Sequence, residues 1–169
     1  LNQSKEFVFL EVFKKGSKEF LLEAIKIILP SVHLKETLLN TDKNSRNLVH
    51  ALILNKELSD DSLGILLEEI SKIYPDIDLL LMQYDEYYMI PLSFFFSERK
   101  RKRNDSSNQD IMRIIRLLVP KSLSTKNISK ILESANVEIY KLFEIFKYQT
   151  SHNNYNQKIF IEVLSHNSM

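Results

Sequence analysis

Cysteine is absent from this chain, and glycine occurs only 2 times in 169 residues. The first absence excludes disulfides, thiolate metal sites and cysteine nucleophiles. It leaves the compartment open, with a reducing interior as the plain expectation. The second, together with only 4 prolines, argues against a strand-rich fold that needs many tight turns. No glycine-rich phosphate loop and no nucleophile elbow can be found. An excess of one charge is missing too: 23 basic side chains stand against 22 acidic ones, for a net of +1. No global field therefore draws the chain to nucleic acid or to a membrane. No apolar run approaches the roughly 18 residues needed to span a bilayer. Residues 7–13 are apolar but brief, broken by Glu11, and lack the flanks of a signal peptide. The chain opens on Leu1 and not on Met, so a domain cut from a larger protein is expected.

Hydrophobic residues make up 44% of the chain, enough for a sizeable core, and its runs of Leu, Ile, Glu and Lys favour helices. The length suits one domain over residues 1–169. Residues 6–14 place Phe7, Leu10 and Phe13 on one helix face, and Gly16 supplies a turn or C-cap. Ser17 caps a second helix to Ile28 with Phe20, Leu21, Ala24 and Ile28 as its apolar stripe, stopped by Pro30. Residues 40–47 make a polar, exposed tip before a short helix over 48–54. Ser59 or Asp60 caps the next helix, which buries Leu63, Leu66, Ile70 and Ile73 and closes at Tyr74 and Pro75. Residues 77–82 are apolar enough to be mistaken for a strand, and 83–88 form a second, tyrosine-rich tip.

Pro91 fits the first turn of a helix running to about Phe96. Residues 97–109 then break the pattern as a mobile basic insertion. Asp110 caps a helix carrying Ile111, Ile114, Ile115 and Leu118, ended by Pro120. Residues 127–143, NISKILESANVEIYKLF, read as a tight helical hairpin about a turn at Ser134 and Ala135, and residues 157–164 add a terminal half-pair.

A helical hairpin cannot bury its apolar faces alone and stacks on copies of itself. Asp42 stands six residues before Leu48 and Asp85 six before Pro91, so the two tips keep one register 43 residues apart. In SRNLVHAL, residues 45–52, the positions Asn47, Leu48, Val49 and His50 stand where the ankyrin-repeat family has Thr-Pro-Leu-His. IPLSFFF, residues 90–96, keeps Pro91 and Leu92, with Ser93 in place of the histidine. FKKGSKEFLL, residues 13–22, is similar to the family's turn between its two helices, and NVEIYKLF, residues 136–143, to the start of its second helix. Over residues 6–148 the chain resembles a divergent ankyrin-repeat protein of about four repeats. The resemblance implies an all-α solenoid of helical hairpins with irregular connections. It also implies that His50 ties adjacent loops together. Phe95 and Phe96 stand where the family carries alanines, so the groove there must widen or a helix rotate. Another helical repeat and a divergent bundle are the alternatives.

The function the resemblance implies is protein binding without catalysis, as an adaptor, regulator or effector in the cytoplasm or nucleus. None of the 4 histidines sits at metal-ligand spacing, and no metal or cofactor is expected. Asp60–Asp61 and Glu68–Glu69 read as helix-start electrostatics and a solvated face, not as a catalytic pair. Tyr84, Tyr87 and Tyr88, flanking Asp85, combine apolar area with a hydroxyl in the way binding hot spots do. Asp42, Lys43, Asn44 and Arg46 form the equivalent tip, and both tips are expected to touch a protein partner. Arg99, Lys100, Arg101, Lys102 and Arg103 form the strongest charge run, readable as a solvated insertion, a nuclear-import signal or a phosphate contact. The last of these makes a nucleic-acid-associated regulator the competing function. A helical enzyme with a non-local site is the third.

Overall fold

The computed structural model describes residues 3–28, 30, 38–99, 108–122 and 127. The chain divides into two compact units, Leu1–Lys121 and Ser122–Met169. The hairpin expected over residues 127–143 and the half-pair over 157–164 belong to the second, and apart from Asn127 they lie outside the described residues.

Seven helices are described in the first unit: α1 (Gln3–Lys15), α2 (Lys18–Ile28), α3 (Leu48–Leu54), α4 (Asp60–Ile73), α5 (Ile77–Leu81), α6 (Pro91–Arg99) and α7 (Asn108–Leu118). No strand occurs among the described residues, so the architecture there is all-α. Helix α1 packs on α3 and α3 on α6, while α2 packs on α4 and α4 on α7. Helix α3 also touches α4 and α5, and α6 touches α7. Helix α3 lies between α1 and α6, and Leu48, Val49, His50, Ala51, Leu52 and Ile53 are all buried. A helix apolar on every side suits such a central position. Full burial of each large aliphatic side chain contributes about 1.5–3 kcal/mol.

Local chemistry sets several helix starts. Ser17 Oγ accepts the Phe20 N–H at 3.4 Å, and Ser59, in extended backbone, accepts the Ser62 N–H at 3.2 Å. Pro91 opens α6, where a missing N–H costs nothing. Other expectations are corrected. On α2, Leu21 and Ile25 face the core while Phe20 is 56% exposed, because packing on α4 selects one edge of a broad apolar face. Leu67 joins Leu63, Leu66 and Ile70 inside α4. The apolar run at 77–82, which composition alone could pass off as a strand, is not one, as expected: Ile77–Leu81 form the short helix α5. Helix α6 continues through Ser97 to Arg99, and α7 begins at Asn108, so Asp110 sits in its first turn and not at its cap. Phe94, Phe95 and Phe96 are all buried.

Both glycines mark close approaches, and neither takes a positive φ. A Cβ on Gly64 would lie 3.1 Å from Arg113 Cδ. There Arg113 crosses from α7 to grip both carboxylate oxygens of Glu68 at 2.6 Å. A Cβ on Gly16 would meet the Val12 carbonyl at 2.9 Å and Leu21 Cδ2 at 2.8 Å. That carbonyl already accepts the Gly16 N–H at 2.8 Å and cannot retreat cheaply. Gly16→Ala is therefore expected to destabilise the fold by about 1–3 kcal/mol. A denaturation midpoint unchanged from the parent would contradict this.

Candidate interaction surface at two turns

The two tips are built alike, atom for atom, around an aspartate. In the first, Asp42 Oδ1 accepts the N–H groups of Asn44 at 2.8 Å and Arg46 at 3.0 Å. The Ser45 N–H bonds the Asp42 carbonyl, and the Asp42 N–H bonds the Arg46 carbonyl. In the second, Asp85 Oδ1 accepts from Tyr87 and Met89, both at 2.9 Å. The Tyr88 N–H bonds the Asp85 carbonyl, and the Asp85 N–H bonds the Met89 carbonyl. Ser45 and Tyr88 both adopt φ 58°, the left-handed conformation that closes each turn. The turns also join each other, the Glu86 N–H bonding the Asn44 carbonyl at 3.0 Å.

The second carboxylate oxygen of each aspartate faces a cation. Asp42 Oδ2 accepts from Lys14 Nζ at 2.9 Å, and Lys14 also donates to Glu11 at 2.9 Å. Burial would raise the Asp42 pKa. The Lys14 ammonium and the Arg46 and Asn44 N–H groups outweigh it and hold the carboxyl below its ordinary value. Burial likewise opposes the charge of Lys14, but Glu11 and Asp42 overcome it and raise its pKa. In the second turn Asp85 Oδ2 stands 4.0 Å from Arg46 Nε.

Asn47, fully buried, couples the first turn to the helices behind it. Its Oδ1 accepts the N–H groups of Val49 and His50 and caps α3. Its amide donates to the Leu80 carbonyl at 2.6 Å and to Gln83 Oε1 at 2.8 Å, and Gln83 donates onward to the Leu39 carbonyl. The buried His50 ring reaches Asn47 Oδ1 from Nδ1 at 2.9 Å and the Met89 carbonyl from Nε2 at 3.1 Å. It therefore links its own helix start to the next turn. Asn55 does the same at the far end of α3, donating to the carbonyls of Phe13 and Gly16 at 2.9 Å.

Burial is the largest influence on His50 and lowers its pKa below 6.5, against the pull of the Met89 carbonyl and Asp85. A depressed histidine binds its proton less readily folded than unfolded, so stability is full above pH 6.5 and falls as pH drops toward the folded value. His50→Gln is expected to flatten this part of the stability–pH curve, read by denaturation at a series of pH values. A parent that gains stability through His50 on acidification would reverse the sign and show that the two acceptor oxygens outweigh burial.

The expected contact residues separate into two groups. Tyr84, Tyr87 and Tyr88 are 55%, 64% and 86% exposed, and Lys43 is exposed with them. Asn44 and Arg46 are half-buried, whereas Asp42 and Asp85 are buried, Asp42 with both side-chain oxygens bonded and Asp85 with Oδ1 bonded and Oδ2 facing Arg46. Arg99 ends α6, and Lys100, Arg101, Lys102 and Arg103 lie outside the described residues. Gln83 and Asn55 went unforeseen, because an isolated amide carries no spacing signal. An open cleft of about 660 Å³ is lined by Lys14, Lys15, Ser17, Leu54, Lys56 and Glu57. Lys14 and Lys15 there are already paired with Glu11, and Lys56 and Glu57 are of opposite sign.

Among the described residues, no cluster of three histidines or carboxylates could hold a metal ion, and no helix is long and apolar enough to cross a membrane. No protein-family model matches the chain, and neither a curated protein nor a solved structure does.

Proposed function

We propose that the first unit is a non-catalytic protein-binding domain, a divergent ankyrin-like stack of helical pairs that meets its partner with the tips of its turns. The observation that carries this reading is Tyr88. A bulky side chain in the left-handed region costs about 1–2 kcal/mol relative to ordinary backbone, and asparagine or glycine would fill the position more cheaply. Yet the ring is 86% exposed and adds little to the core. It stands in one turn with Tyr87 and beside Tyr84, giving three outward aromatics on a turn that Asp85 holds rigid. Rigid aromatics with a polar tip suit a binding surface, since little side-chain entropy is lost on contact.

Tyr88→Asn separates binding from folding. It is expected to leave stability unchanged or to raise it by up to about 1 kcal/mol. Combined with Tyr87→Ala, it is expected to weaken partner binding by about tenfold or more. The test is capture of partners from cells, followed by direct titration of each captured protein, purified, against the parent and the double variant. Direct partners that bind both forms equally, with both forms folded, would sink the reading.

A further inference from the structure

We infer that Arg46 is a preformed receptor for a carboxylate, so that the segment seated on these turns is an acidic peptide of the partner protein. This rests on the binding function proposed above and names the chemistry of its partner. The guanidinium carbon lies 5.1 Å from the centroid of the Phe94 ring, and Phe94 is fully buried in α6. A cation–π contact with a ring that is itself fully buried restrains the position of the guanidinium. Only 18% of the Arg46 side chain is exposed. On its inner edge Nε faces Asp85 Oδ2 at 4.0 Å, and both atoms are buried without a hydrogen bond. Among the described residues, no protein group accepts a hydrogen bond from the Arg46 guanidinium. An arginine restrained over a ring and without a hydrogen-bonded carboxylate among the described residues is suited to two parallel bonds to one carboxylate.

The first turn shows what is missing from the second. There the cation Lys14 is shared between two carboxylates, Asp42 and Glu11, each at 2.9 Å. Arg46 has the equivalent aspartate, at the longer distance, and among the described residues no counterpart of Glu11. The partner's carboxylate takes that place. Lys43, exposed on the same turn, adds a charge of the same sign. Glu86, exposed on the second turn, opposes it. Free small anions therefore bind poorly, and recognition requires a peptide that also lays an apolar group on the tyrosines. Asp85 sets both halves of the site, since its other oxygen holds the Tyr87 N–H.

The test screens a phage-displayed library of random peptides against the full chain and re-measures the selected peptides on Arg46→Gln and Arg46→Lys. Selected peptides are expected to share an Asp or Glu beside an apolar residue. Changing that acid to its amide should weaken binding to the parent by about tenfold or more, and should matter little on Arg46→Gln. Arg46→Lys, which keeps the charge but not the fork, should recover only part of the affinity. Arg46→Gln leaves Asp85 buried without its cation. Should it fail to fold, the peptide change and Arg46→Lys still decide the matter. Peptides without an acid, or indifferent to its loss, overturn this inference and leave the binding function standing. A screen that yields no peptide overturns both. So does a chain that selects no peptide yet binds a single-stranded oligonucleotide through Arg46.

Discussion

Asn47→Ala is expected to cost about 3–5 kcal/mol, the sum of a lost helix cap and several orphaned buried groups. The side chain is completely buried and makes five contacts that alanine cannot reproduce. Removing it frees the Val49 and His50 N–H groups, leaves His50 Nδ1 without its oxygen, and strips a donor from the Leu80 carbonyl and from Gln83. Asn47→Thr keeps an oxygen for the cap and for His50 but offers no amide to Leu80 or Gln83, so it should recover about half of the loss. Gln83→Ala should add less on top of Asn47→Ala than it costs alone, because the two share a bond. Urea unfolding with an unchanged m-value measures all of these. A loss below about 1 kcal/mol would mean that the network is bypassed, by water or by relaxation.

Phe94→Ala is expected to cost about 3–5 kcal/mol, the range for emptying a fully buried aromatic site. Its ring packs edge-on against His50 at 5.2 Å and underlies Arg46 at 5.1 Å, so the cavity opens where α6, α3 and the first turn meet. Phe94→Leu refills most of the volume and should cost no more than about 1.5 kcal/mol. The two variants also differ at the surface. Both remove the platform that orients Arg46, so a peptide dependent on Arg46 should weaken on Phe94→Leu although the fold survives. Equal stability of Phe94→Ala and the parent would show that α6 does not anchor the core as its burial indicates.

Much of the helical framework was legible before any packing was known. The span 48–54 was readable as α3 because a polar turn with Asn47 precedes it and an apolar run fills it. Ser59, Pro75, Pro91 and Pro120 marked starts and stops by chemistry that acts within a few residues. Residues 77–82, five apolar residues and Asp78, invite confusion with a strand, since so short a run suits either form until neighbours choose. Phe20 and Ile25 show the same limit: both lie on the apolar side of α2, and only the position of α4 decides which is covered.

The candidate surface divides along the same line. By itself the sequence determined that two aspartate-led turns recur in one register and that three tyrosines crowd the second. Both follow from order along the chain, and side-chain bonds to the nearest N–H groups are enough to close each turn. Tertiary structure alone decided that Asp42 and Asp85 turn inward, that the tyrosines stay out, and that Arg46 lies over Phe94. Those outcomes depend on Lys14, Asn47, Met89 and Phe94, which come from different helices and loops. Which polar atoms are spent and which remain free is settled only when those elements pack.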